Sequence, residues 1–219
     1  RISQASVTNL WALVAEKVDD PCFGLRAGKL WHPSYMYALG YGWLTSSTLR
    51  TALNRLQRYS HLVNTSTRVS LTDTERGLQI DWSNPAIDDA HYWHADGSMA
   101  LLITMCRANY GSSLDPLQVS LKHSQPGCAG DFFEFFRCPV EFDADKNSLL
   151  LSSDTVDKRL PGSNPLLAQL HDQLMIEYLA KLDENDIVQR VKASIIELLP
   201  DGKMSDTRVA ETLYMSNRT

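Results

Sequence analysis

Residues 69–82 read VSLTDTERGLQIDW, and here the hydrophobic period of the chain changes from helical to alternating. Val69 and Leu71, then Leu78, Ile80 and Trp82, alternate with polar residues, as in strands that bury one face. Asp73, Thr74, Glu75, Arg76 and Gly77 supply the loop between them, so the stretch is expected to form a hairpin. Strands set into a chain that reads as helical on both sides make the fold class α+β.

Toward the N-terminus, Leu49, Ala52, Leu53, Leu56, Tyr59 and Val63 recur at helical spacing, with Arg50, Arg55 and Arg58 largely off that stripe and Ser46 and Ser47 as candidate caps. Residues 35–45 mix aromatics with Gly40 and Gly42, which fits a helix that another element approaches closely. Residues 22–29 read as a short helical turn. At residues 3–18, Val7, Leu10, Trp11, Val14 and Val18 fall on one side of a further helix, which Asp19-Asp20-Pro21 ends.

Toward the C-terminus, Pro85 is expected to open a helical stretch carried by His91, Tyr92, Met99, Leu102, Ile103 and Cys106 and closed near Gly111. Leu117, Val119 and Leu121 alternate as a strand, and residues 129–136 form an aromatic helix. Val140, Phe142 and Ala144 suggest a short strand, and residues 149–151 another. After a Pro- and Gly-rich turn at 160–165, Leu166, Leu167, Leu170, Leu174, Tyr178 and Leu182 give one helix a wide apolar face. The charged run 183–186 marks a domain boundary, so residues 1–182 and 183–219 are expected to be separate domains.

The totals bound the function. A chain of 219 residues with 43% hydrophobic and 21% charged residues is an ordinary globule. Its net charge of −5 gives no whole-chain footprint for phosphate binding. Cys22, Cys106, Cys128 and Cys138 are scattered without metal-ligand spacing, which favours reduced thiols over a disulfide framework or zinc. No apolar run has the length of a membrane span and no leader pattern precedes the first helix, so a cytoplasmic protein without membrane contact is expected.

The last twenty residues, 200–219, read PDGKMSDTRVAETLYMSNRT. Ser205 is a candidate N-cap, Val209, Ala210 and Leu213 share a helical face, and Met215 and Ser216 look like a turn into a second helix. Gly202, Ser205, Val209, Ala210, Leu213 and the run Met215-Ser216-Asn217-Arg218-Thr219 resemble the first helix-turn-helix of AraC-type (AraC/XylS) transcription regulators. At the other end, Asp20-Pro21-Cys22-Phe23-Gly24-Leu25-Arg26, Leu39-Gly40-Tyr41, Ser47-Thr48-Leu49, Ala52-Leu53 and Arg58-Tyr59 resemble the N-terminal effector domain of one AraC-type subfamily, the group with ornithine- and arginine-responsive activators.

The resemblance implies an effector-sensing and dimerisation region in a bacterial regulator, followed by the start of a helix-turn-helix domain that breaks off within its first recognition helix. It implies sequence-specific DNA binding by the complete C-terminal domain, with Ser216, Asn217, Arg218 and Thr219 the first residues at the groove. It also implies a small-molecule effector and a homodimer made through Leu167, Leu170, Leu174 and Tyr178, and leaves RNA polymerase open as a further partner. The expected architecture is N-terminal helices, a small mostly antiparallel sheet with interspersed helices, a dimerisation-type helix and a partial all-helical lobe.

Trp11, Arg26, Tyr35, Tyr37, Trp43, Trp82, Tyr92 and Trp93 are the candidate ligand contacts. Small-molecule sites are mostly apolar and aromatic with a few polar anchors, and an arginine suits a carboxylate-bearing effector. His91 and His94 lack a third ligand at a convincing spacing, so neither a metal nor a cofactor is expected. Motifs for nucleophilic catalysis are absent, which disfavours an enzyme. An enzyme domain with a regulatory tail, or an effector-independent interaction module, are the alternatives.

Overall fold

The computed structural model describes residues 4–63, 66–87, 91–185 and 205–212. The chain divides into two compact units, residues 1–172 and 173–219. The first is a two-layer α+β unit. Among the described residues its strands, β1 (Arg68–Thr74), β2 (Gly77–Ser83), β3 (Gln118–Ser120), β4 (Val140–Glu141) and β5 (Asn147–Leu151), form a sheet of order β1-β2-β5-β3-β4. The pairing is antiparallel except for the parallel β3–β4 contact.

The hairpin expected at residues 69–82 is present, with Val69 opposite Trp82 and Leu71 opposite Ile80. Both strands run further than the sequence suggests, because Glu75 and Arg76 alone make the turn. Gly77 permits this: its φ of 142° is a conformation side chains resist, and a Cβ there would overlap the Leu151 carbonyl. Alternation then carries Val69, Leu78, Ile80, Val119, Leu149 and Leu151 to one buried face, while Gln79, Asp81, Ser120 and Ser148 occupy the other.

Helices make up much of the rest of the first unit. These are α1 (Gln4–Lys17), α2 (Phe23–Gly28), a 3-10 turn (Pro33–Met36), α3 (Tyr37–Leu44), α4 (Leu49–Val63), α5 (Trp93–Tyr110), α6 (Ala129–Phe136) and α7 (Ser153–Asp157). On α4, Leu49, Ala52, Leu53, Leu56 and Tyr59 are all buried, as their spacing predicts. Its cap is Thr48 rather than Ser46 or Ser47, since Thr48 Oγ1 accepts from the Thr51 amide. Ser46 is instead buried, donating to the Gly42 carbonyl and accepting from Arg55, which also grips Asp172 through two hydrogen bonds.

Three further expectations are corrected. Residues 85–87 are a turn rather than the start of a helix: Asn84 Oδ1 accepts from the Ala86 amide, and α5 begins only at Trp93. Of the stripe expected at residues 3–18, Leu10 and Val18 are exposed, at 60% and 42%, so it is not wholly a core stripe. Cys22 and Cys128, expected as free thiols, are joined in a disulfide that ties the start of α2 to the residue before α6, with Cα atoms 6.3 Å apart. Cys106 and Cys138 are free.

Helix α8 (Pro165–Asn185) crosses the division between the units. Leu166, Leu167 and Leu170 in the first unit are exposed, as is Leu174 in the second. In the second unit α9 (Asp206–Thr212) is capped by Ser205, whose Oγ accepts from the Arg208 amide at 3.3 Å, and Val209 is buried. Ser216, Asn217, Arg218 and Thr219, together with the side chain of Tyr178, lie outside the described residues.

Candidate functional site

Small residues set up the site. Gly24 and Gly28 on α2 lie directly against α5, where a Cβ on Gly28 would overlap the Gly97 carbonyl and the Ala100 methyl. Ala27 and Gly28, at the end of α2, border an open space. There a cavity of about 370 Å³ opens between Trp11 of α1, Trp31 and the 3-10 turn, Leu56 and Ser60 of α4, Trp82 of β2, and His94 to Leu101 of α5. Its size lies in the range of small-molecule sites, roughly 300–1,000 Å³.

The wall is aromatic and uncharged. Trp11 stacks on Trp93 with planes 5° apart and meets His94 edge-on, which holds it at the α1 side. Polar groups are few: Ser60, Thr67 and Ser98 are buried, and the Ser98 hydroxyl donates to the His94 carbonyl at 2.9 Å. Burial holds the His94 imidazole below its ordinary pKa, so the ring is neutral near pH 7. No Asp, Glu, Lys or Arg side chain lines the cavity among the described residues.

A smaller and more polar cleft of about 50 Å³ adjoins it and shares Trp82 and His94. Its lining includes Asn84, His91, Tyr92, Lys122 and His123. His123 places Nε2 2.8 Å from Asp96 Oδ1 and Nδ1 2.8 Å from the Ser124 carbonyl, and Tyr92 stacks on its ring. Both imidazole nitrogens are therefore engaged. Among the described residues no three His, Cys, Asp or Glu side chains gather as a metal site.

Of the eight expected ligand contacts, Trp11, Tyr35 and Trp82 line the larger cavity, and Tyr92 lines the cleft. The other four sit elsewhere. Trp43 is fully buried, its Nε1–H donating to the Met105 carbonyl, and Trp93 stacks behind Trp11. Tyr37 is 74% exposed. Arg26 lies at the surface, bound to Asp20 and to Asp131, and the hydrogen bond from Arg26 is the main cause of a lowered Asp20 pKa. Sequence reasoning missed Trp31, Met36, His94, Ser98 and Leu101. Trp31 was legible only as one more aromatic, Ser98 and Leu101 carried no site signal, and His94 was weighed only with His91 as a metal ligand.

The comparisons with known proteins agree with this architecture. The family model described as the arabinose-binding domain of AraC transcription regulators, N-terminal, matches residues 1–160. The chain is 26% identical over 204 residues to an ornithine utilization regulator of Pseudomonas aeruginosa, covering 91% of this chain and 59% of that protein. It thus spans about three-fifths of the length of this relative. Its fold is similar to the crystal structure of the transcriptional regulator CdpR from Pseudomonas aeruginosa, with a TM-score of 0.65 at 17% identity, covering 100% of this chain and 71% of that one. Among the described residues no helix is long and apolar enough to cross a membrane. Since the family model accounts for well over half of its residues, the chain belongs to the AraC transcription regulators that carry an arabinose-binding-type N-terminal domain.

Proposed function

We propose that residues 1–182 sense a small molecule and pair subunits, and that residues 183–219 begin the helix-turn-helix domain through which the intact regulator binds DNA. One observation carries the sensing role: an uncharged, aromatic-walled cavity of about 370 Å³ lies within the stretch that the effector-domain family model matches. Its walls come from α1, α2, α4, α5 and β2, so an occupant touches most of the first unit's helical layer. Differential affinity for two arrangements of those helices is what would couple the occupant to DNA binding.

Two further features support the reading. The exposed leucines Leu166, Leu167, Leu170 and Leu174 on α8 suit a subunit contact, and the Ser205 cap begins a helix where the first helix of the DNA-binding motif is expected. RNA polymerase is a further partner in this proposal. Catalysis is not part of it: His123, the histidine best placed by a carboxylate, has neither ring nitrogen free to activate a nucleophile.

The test is transcription from the regulator's own target promoter, with the cavity filled by Leu101→Trp in the intact regulator. The expected result is loss of the response to growth conditions with DNA binding retained. An unchanged response would remove the sensing role. Gel filtration with light scattering on Leu170→Asp checks pairing, and a mass equal to that of the unsubstituted protein under dimer-forming conditions would remove α8 from the contact.

A further inference from the structure

The lining of the larger cavity restricts what it can hold. Taking a charge out of water is costly unless a counter-charge or several hydrogen bonds meet it, and among the described residues the wall offers neither a carboxylate nor a cation. His94 is the only imidazole there among the described residues, and it lies edge-on to Trp11 within the apolar wall. A free amino acid brings an ammonium and a carboxylate. Neither would meet a counter-charge among the described residues.

The polar groups that remain point the same way. Trp31 and Trp82 belong to the wall, and their Nε1–H groups are shielded from water without any acceptor. Indole N–H only donates, so it can meet a carbonyl or carboxylate oxygen but does nothing for an ammonium, and it is the charged amine of a free amino acid that these groups disfavour. Neither nitrogen is open to the cavity as the rings stand, so an acceptor oxygen on an occupant reaches one of them only once its ring turns. Buried donors left without a partner are uncommon, which makes two in one cavity wall informative.

We propose that this cavity takes an uncharged, largely apolar small molecule whose polar content is one or two hydrogen-bond acceptors, and that it does not take a free amino acid. The proposal rests on the sensing role argued above and names its ligand class. It separates this chain from what the name of its ornithine-related relative would suggest.

The test compares phenylbutyramide with phenylbutyrate, which share a skeleton and a carbonyl and differ in charge, alongside L-ornithine and choline. Binding is read by calorimetry and by tryptophan fluorescence, since three of the five tryptophans, Trp11, Trp31 and Trp82, line the cavity. The expected result is saturable binding of the amide, roughly ten-fold or more tighter than the carboxylate, with no saturable response to ornithine or choline. Leu101→Trp should abolish the amide response; if it fails to fold by circular dichroism, Leu101→Phe makes the same comparison. Tighter binding of phenylbutyrate, ornithine or choline, lost in the same variants, overturns the ligand class and leaves the sensing role standing. A flat response to all four by a folded chain overturns both.

Discussion

His123 Nε2 lies 2.8 Å from Asp96 Oδ1, and the Asp96 side chain is wholly sealed from water. The Ser124 carbonyl only accepts, so Nδ1 carries a hydrogen, and a second proton must lie between Nε2 and the carboxylate. The pair thus holds one shared proton. Two shifts express it: burial raises Asp96, and for His123 the same burial is outweighed by the bond and charge of Asp96, so its value also rises.

That shared proton predicts a stability loss on the alkaline side. The unfolded histidine releases its proton near pH 6.5, whereas the folded pair keeps it to higher pH, so the folded state binds more protons above that point. Stability from the pair is fully present below about pH 6.5 and lost as pH rises through the pair's own value. In melting curves between about pH 6 and 9, the wild type should fall more steeply than the double variant His123→Gln, Asp96→Asn, which removes both titrating groups. Equal slopes would show that the pair carries no extra proton.

His94 works with the opposite sign. Burial lowers its pKa, so the unfolded chain binds this proton first as pH falls. Its contribution is present above about pH 6.5 and lost as pH drops through the folded value. His94→Gln should flatten the acid limb of the melting profile without altering the alkaline one. An occupant of the cavity should steepen the acid limb if it needs the neutral ring.

Gly28→Ala tests whether the approach of α2 to α5 maintains the cavity. The added methyl meets the Gly97 carbonyl and the Ala100 methyl, so the helices must move apart. A destabilisation of about 1–3 kcal/mol is expected, as for other overpacked contacts, together with a shifted tryptophan emission spectrum. A variant with unchanged stability and emission would mean that α2 moves freely.

The disulfide makes a redox prediction. Cys22 and Cys128 are 106 positions apart, and closing a loop of about that length is worth roughly 4–5 kcal/mol in the chain-entropy account. Dithiothreitol, or Cys128→Ser, should lower the melting temperature in urea-free buffer. Cys106 and Cys138 have thiols that burial pushes up to about 12 and about 11, so alkylation near neutral pH should label neither quickly before reduction. Rapid labelling of Cys22 in the unreduced chain would show the bond is not formed.

Much of this protein was legible along its length. The alternation of Val69, Leu78 and Ile80, the stripe of α4, the aromatic helix α6 and the Ser205 cap are local patterns, and local hydrogen bonding and one-sided burial translate them directly into structure. What tertiary structure alone decided is which distant residues meet. The strand order sets β5 between β2 and β3, the disulfide joins positions far apart, and His123 reaches Asp96 from another element. The same is true of the cavity. Trp43 and Trp31 are equally aromatic in sequence, yet Trp43 on α3 is buried with its Nε1–H on the Met105 carbonyl of α5, whereas Trp31 lies outside any helix and walls a space, a difference that depends on which elements pack together.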